Sequence, residues 1–517
     1  MRMRNFIKCC AAAMAASSTA VLAENPKPPN VVLIYGDDIG YGDVGVYGSK
    51  MIPTPNIDAF ARQSLIFTDG HCTAATCSPS RFALLTGVYG FRHDVNIVPP
   101  DGRMEIPARK LTLPGMFKQA GYTTGIVGKW HLGLGSPGQP LDWNGAIKPG
   151  PLERGFDYSF LMPSTNDRVP CVYIKGHHVY NHDPDDPISV GARQVYPNST
   201  VYPDGRRNPE AMTYYMNTHG HNHSVINGIG RIGTMYGGKA ALWDDELMAD
   251  EYVKRSKQFI EANKDEPFFL FYSSQDTHVP RTPHPRFHGK SELTYRGDAM
   301  VQFDWACGEL IKTLEEHGLR ENTIVIISSD NGPVYDDGYD DGTTVLTSTQ
   351  PSDRGHYGAG PFRGGKYQIY EGGTRVPFIV GWPKKIKPGT SRALVSQIDF
   401  LASFAALLGV EVPDDQARDS MNTLDAFLGR DPIGAPYHIV EAVGGSRGLR
   451  RGKWKYIFPS QAMARRFGGS GGPELYNLDL DIGETRNLID EYPQIAQEMR
   501  SLFTRLIERG RARAHSQ

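Results

Sequence analysis

Asn30-Val31-Val32-Leu33-Ile34-Tyr35-Gly36-Asp37-Asp38 is the stretch on which the fold turns. The apolar residues from Val31 to Tyr35 follow one another without a polar break, so a strand built from them must be covered on both faces. That burial predicts a parallel sheet between layers of helices, with Gly36 in a turn and two carboxylates just past the strand end. The sequence on either side repeats the pattern. Leu111 to Ala120 reads as a helix before a strand at Tyr122 to Val127; Asp244 to Asn263 precedes Phe268 to Tyr272, and Met300 to His317 precedes Thr323 to Ile327. This alternation gives an α/β fold: a large mixed, mostly parallel sheet flanked by helices.

In such sheets ligands bind beyond the carboxyl ends of the strands, where loops from separate strands converge. Polar sets follow the predicted strands at Asp37-Asp38, Lys129-Trp130-His131, Asp276-Thr277-His278 and Asp330-Asn331. Residues 132 to 240, rich in Gly, Pro, Asn, His and Tyr, are expected to form long insertions around the mouth of a site rather than a separate domain. Ser396 to Leu408 reads as one more helix. Beyond about residue 430, short runs at His438-Ile439-Val440 and Lys453 to Phe458 precede a helix from Pro493 to Arg509, which predicts a smaller C-terminal α+β domain. The expected division is a signal peptide at 1–23, a catalytic α/β domain at 24–430 and the C-terminal domain at 431–517.

The leader, MRMRNFIKCCAAAMAASSTAVLAE, has a basic start, an alanine-rich middle and Val21-Leu22-Ala23 as a cleavage signature, so export to the periplasm or medium is expected. No run approaches the roughly 18 to 20 apolar residues of a membrane span. With 55 Lys and Arg against 57 Asp and Glu in 517 residues, the composition argues against a nucleic-acid partner and leaves any anionic substrate to a local pocket. Cys9 and Cys10 would leave with the leader. Cys72, Cys77, Cys171 and Cys307 are too few for a disulfide framework, and the sequence fixes neither their pairing nor an oligomeric state.

Chemistry concentrates in Thr76-Cys77-Ser78-Pro79-Ser80-Arg81-Phe82-Ala83-Leu84-Leu85-Thr86-Gly87. Ser78 is suited to cap a helix and Pro79 to its first turn, which sets Cys77 and Arg81 beside a positive helix terminus suited to an anion. By itself a cysteine before a helix is more often a small buried apolar residue. Here, however, Cys77 to Gly87 meets at every position a signature of the form C-x-P-S-R, two residues, two apolar residues, T-G. Gly121 to His131 forms a second long motif; Gly364-Gly365-Lys366, Tyr370 to Pro377 and Glu474 to Leu478 extend the match. On these motifs most of the chain resembles the type I, formylglycine-dependent sulfatases, arylsulfatase-like members of the alkaline phosphatase superfamily.

The resemblance implies a sulfuric ester hydrolase that releases sulfate from a sulfated carbohydrate. It implies that a maturation enzyme converts Cys77 to formylglycine, whose hydrate supplies the nucleophile, and that Asp37, Asp38, Asp330, Asn331 and the modified Cys77 surround Ca2+. The four acidic and amide side chains are hard oxygen donors of the kind calcium takes. By the same resemblance Lys129 and Lys366 hold sulfate oxygens and Arg81 orients the hydrated aldehyde. His278, with Lys366 nearby, protonates the leaving alcohol, and His131 assists loss of sulfate.

Arg168, within Asn166 to Pro170, is expected to join the His219-Gly220-His221-Asn222-His223 cluster in a wall for sugar hydroxyls or carboxylates. That cluster lacks the spacing of a transition-metal site. Asp336, Asp337, Asp340 and Asp341 lack the order of a calcium loop and read as a solvated acidic loop. Two other functions stay open: a phosphodiesterase or phosphonate monoester hydrolase on a related metal site, and a non-catalytic sulfated-glycan binding protein. The intact set Cys77, Arg81, Lys129, His131, His278 and Lys366 speaks against the second.

Overall fold

The computed structural model describes residues 27–191, 195–344, 350–468 and 471–514; the expected signal peptide lies outside them. Strand Asn30–Gly36 sits at the centre of a ten-stranded sheet, fully buried along its length. Phe268–Ser273 and Thr323–Ser329 flank it in parallel, with Leu33 opposite Phe271 and Ile326. Thr123–Lys129 and Tyr158–Met162 continue the parallel run beyond Phe268–Ser273. On the far side of Thr323–Ser329, Phe378–Gly381 turns antiparallel, which makes the sheet mixed. The carboxyl ends of the parallel strands therefore open on one rim.

Alternation of side chains along a strand assigns the helices to faces. Phe269 stacks on Phe117 of helix Leu113–Gln119 at 4.5 Å, whereas its neighbour Phe268 meets Phe259 of helix Met248–Ala262 at 6.0 Å. These two helices consequently cover opposite faces. The first packs with Cys77–Thr86 and Phe400–Leu408, the second with the long helix Thr294–Glu316.

Tyr158–Met162 corrects the expectation for residues 132 to 240, since the segment contributes a strand to the main sheet. Its YSFLM run is short and is followed by Pro163, so it lacked the length that marked the other strands. The remainder forms short ribbons such as Val225–Ile226 with Ile229–Gly230.

The expected boundary at residue 430 falls between helix Leu424–Phe427 and strand His438–Ala442. Beyond it, His438–Ala442, Ser446–Arg451, Trp454–Ile457 and Glu474–Asn477 form an antiparallel sheet. Helix Pro493–Glu508 covers that sheet with a stripe of Ala496, Met499, Phe503 and Leu506 at helical spacing. Ala83, Tyr89 and Ile398 of the main unit share a core with Ile439, Leu449 and Leu475 of this sheet.

A buried charge cluster joins the two parts. Glu371 pairs with Arg450 at 2.7 Å, with Lys455 at 3.1 Å and with Arg375 at 3.2 Å. Lys455, with no exposed side-chain surface, also reaches Glu484 at 2.9 Å. The second oxygen of Glu484 accepts the Glu371 backbone N–H at 2.6 Å. Burial alone would raise the Glu371 carboxyl, but Arg450, Lys455, His71 and Arg375 more than offset it and hold the group ionised.

Candidate active site

The rim collects Asp37 and Asp38 after the central strand, Asp330 and Asn331 after its neighbour, and His278 after Phe268–Ser273. Thr123–Lys129 ends in Lys129, followed by His131. One oxygen from each of Asp37, Asp38 and Asp330 lies within 4.8 Å of the others. Cys77 Sγ and a ring nitrogen of His278 stand within the same distance of each other and of Asp37. The sequence-predicted residues thus meet in one buried place.

Helix Cys77–Thr86 begins beside the acids. Thr76, not Ser78, is its N-cap, and Pro79 lies in the first turn as expected. Ser78 instead accepts the Val98 N–H at 3.1 Å, which corrects its expected capping role. The Val98 carbonyl lies 3.0 Å from His131 Nε2, so one residue ties the cysteine helix to that imidazole. Burial pushes the Cys77 thiol up to about 12 despite Lys129 and Lys366. An unmodified thiol here is therefore protonated and a poor nucleophile.

Three buried cations face the three carboxylates. Lys129 Nζ lies 2.6 Å from Asp37, and Lys366 Nζ lies 2.8 Å from Asp38. Arg81 donates through Nε to Asp330 at 2.9 Å and through Nη1 to the Ser273 hydroxyl at 2.5 Å. Burial, with Asp330 next to it, pushes the Asp37 carboxyl up to about 7 even though Lys129 opposes the shift. Asp38 is raised by burial as well, while Arg81, Lys129 and Lys366 outweigh burial at Asp330 and lower it.

Asp37 Oδ1 and Asn331 Oδ1 are buried acceptors with no hydrogen-bond partner. Asn331 spends its amide N–H on Asp38 Oδ1 at 2.7 Å, which leaves its own oxygen free. Unpaired oxygens among clustered carboxylates fit a hard cation, whose charge relieves both their mutual repulsion and the missing hydrogen bonds. Asp38 and His131 have φ of 60° and 53°, in the left-handed region, so the backbone is held in a less favourable state where it presents these groups.

Histidine placement is specific. His278 Nδ1 faces the Val279 carbonyl at 2.7 Å and Asn166 Oδ1 at 3.1 Å, both acceptors. Nδ1 therefore carries the proton, and Nε2 is the nitrogen turned to the site. Burial, reinforced by Lys366 and Lys129, holds His278 well below its usual value. His131 is also lowered, by burial first; its Nε2 donates to the Val98 carbonyl at 3.0 Å, Arg168 Nη1 lies 2.8 Å from the same nitrogen, and its Nδ1 has no partner.

Several of these partners were not legible as functional residues. Asn166, expected in a sugar-facing wall, is buried and holds His278; Ser273, Asp337 and Tyr367 support Arg81 and Lys366. His221 has Nδ1 2.8 Å from the His219 carbonyl and Nε2 3.0 Å from Asp167, so both nitrogens are engaged and neither is open to a transition metal. The expected solvated loop at Asp336 to Asp341 is corrected at its two ends. Asp336 and Asp341 are buried, and Asp341 pairs with the buried Arg281 at 2.8 Å. Cys72, Cys77, Cys171 and Cys307 are all buried free thiols.

Clustered acids, a nucleophile position at a helix N-terminus and converging lysines define a hydrolase site for an anionic ester. The chain belongs to the Sulfatase family, which it matches over residues 29–410, and residues 364–510 match the family described as N-sulphoglucosamine sulphohydrolase, C-terminal. It is 45% identical to an N-acetylgalactosamine-6-O-sulfatase of Bacteroides thetaiotaomicron, over 93% of both chains. It is 30% identical to human arylsulfatase A, over 92% of this chain and 87% of that one. A solved sulfatase structure from work on the metabolism of multiple glycosaminoglycans by Bacteroides thetaiotaomicron superposes with a TM-score of 0.87 at 44% identity, covering 93% of this chain and 99% of that one. The protein is a sulfatase, a hydrolase of sulfuric esters. No helix among the described residues is long and apolar enough to cross a membrane.

Proposed function

We propose that the chain releases sulfate from a 6-O-sulfated N-acetylhexosamine of a glycosaminoglycan, with formylglycine made from Cys77 and a calcium ion held by Asp37, Asp38, Asp330 and Asn331. The observation that carries the chemistry is the buried acid cluster, with two unpaired oxygens, beside Cys77 and His278. The substrate class is supported by the relatives' own descriptions. Calcium would supply positive charge to sulfate oxygens, and formylglycine as its hydrate would supply the attacking oxygen.

This chain's side chains do the rest. Lys129 and Lys366, anchored on Asp37 and Asp38, hold the sulfate oxygens and offset charge as the ester bond breaks. Arg81, fixed on Asp330 and Ser273, orients the side chain at position 77. His278, with its Nδ1 proton held by Asn166 and the Val279 carbonyl, takes up a second proton at Nε2 when the anionic ester lies beside it and passes that proton to the departing sugar oxygen; His131, with its Nε2–H directed to the Val98 carbonyl, takes a proton through its unpartnered Nδ1. Arg168, whose guanidinium lies against His131, borders the sugar. Export, with residues 1–23 as signal peptide, and maturation by a formylglycine-generating enzyme belong to this reading, as does the division at residue 430.

A sugar alkoxide leaves poorly without a proton, whereas an activated phenol leaves readily. His278→Ala is therefore expected to lower single-turnover sulfate release from the sugar by roughly 100- to 10,000-fold, and from an activated aryl sulfate far less. Equal losses on both would assign the proton to another group, Lys366 first. Exhaustive chelation is expected to abolish turnover and calcium to restore it; full activity in metal-free protein would remove the metal from the proposal. Paired rates on sulfate and phosphate esters of one alcohol test the phosphoesterase alternative, which predicts faster phosphate release.

A further inference from the structure

Tyr367 follows the buried Lys366 and is itself half-buried. Its φ of 76° lies in the left-handed region, where tyrosine rarely occurs. Two contacts hold it there: its N–H donates to the Ala75 carbonyl at 2.6 Å and its hydroxyl donates to Asp337 at 2.7 Å. Two cations use its ring. Lys366 Nζ lies 5.3 Å from the ring centroid, and the Arg466 guanidinium carbon, from helix Gln461–Phe467, lies 4.8 Å from it. The two charges are consequently no more than about 10 Å apart across a shared aromatic ring.

Their surroundings differ. Lys366 is buried and already paired with Asp38 and Asp337, at 2.8 and 3.3 Å. Arg466 is exposed, and among the described residues no carboxylate pairs with it. The rings of Tyr367 and Phe467, 4.8 and 5.3 Å away, position its guanidinium. A guanidinium placed by its face keeps its planar edge of N–H donors for a carboxylate or sulfate. Lys366 is buried, Tyr367 half-buried and Arg466 exposed, so a substrate whose sulfate ester rests on Lys366 and which leaves along this ring meets Arg466 within about 10 Å.

We propose that Arg466, seated on Tyr367, is a second anion subsite that binds a carboxylate or sulfate on the sugar next to the one being desulfated. The inference rests on the glycosaminoglycan reading above and adds that the enzyme selects substrates by a charge remote from the scissile bond.

The test compares wild type with Arg466→Gln on four substrates: 6-O-sulfated N-acetylgalactosamine, its disaccharide with a uronic acid, the same disaccharide with the carboxylate reduced to an alcohol, and the reduced disaccharide carrying a sulfate on the second sugar. Arg466→Gln is expected to raise KM about tenfold for the two disaccharides with a second anion, with kcat unchanged. The monosaccharide and the reduced disaccharide should be unaffected. Loss confined to the uronate, or to the second sulfate, identifies which anion is read. Arg466→Lys should recover part of the loss, because charge remains while the planar edge does not. Equal effects on all four substrates, or none on any, would overturn the subsite. Absence of sulfate release from all four substrates by both proteins would instead overturn the sugar-sulfatase reading, and the subsite with it.

Discussion

Cys77→Ala is expected to leave a folded protein whose sulfate release falls by on the order of a millionfold, the scale of losing a covalent nucleophile. The folding half of the expectation follows from packing. Removing one buried sulfur costs about 1 kcal/mol, and alanine keeps the helical backbone of the first turn. The chemical half follows from electrostatics. With the thiol pushed up to about 12, almost none is ionised near neutral pH, so an unmodified cysteine lacks the nucleophile the reaction needs. Peptide mass spectrometry at position 77 alongside turnover checks the assignment. Wild-type rates from protein that is entirely thiol at this position would refute it.

The second large effect concerns stability. Lys455→Met is expected to destabilise the protein by roughly 3–5 kcal/mol, the cost of leaving buried charge without its partner. Glu371 would keep Arg450 and Arg375, whereas Glu484 has Lys455 as its paired cation among the described residues. Adding Glu484→Gln should therefore recover part of the loss. Denaturant titration of both variants measures this; a single variant as stable as wild type would show that the cluster does not hold the fold. Because Glu371 stands close to Lys366 in sequence and Gly332 donates to the Gly373 carbonyl at 2.9 Å, the same change should loosen the loop that carries Asn331.

The site was legible because its residues follow strands with no polar face, and because the segments from Cys77 to Gly87 and from Gly121 to His131 are continuous. Support from distant loops was not. Asn166 reaches His278 across more than a hundred positions, and no local pattern marks such a pair. Ser446–Arg451 was missed as a strand for a related reason: its Arg450 side chain is spent on buried acids, so the apolar alternation of a half-covered strand is absent. Ser78 shows the reverse error, since a good capping residue one step inside the helix is taken up by Val98.

The buried charge cluster also sets a timetable. Glu371, Lys455 and Glu484 meet only after nearly the whole chain has been made, and the segment they fasten carries Lys366 and lies against the loop after Asp330. The catalytic pocket therefore cannot reach its final form while the C-terminal residues are still missing. During synthesis the cysteine segment is complete long before the pocket that buries it. Until then Cys77 lacks the burial that it has in the finished fold.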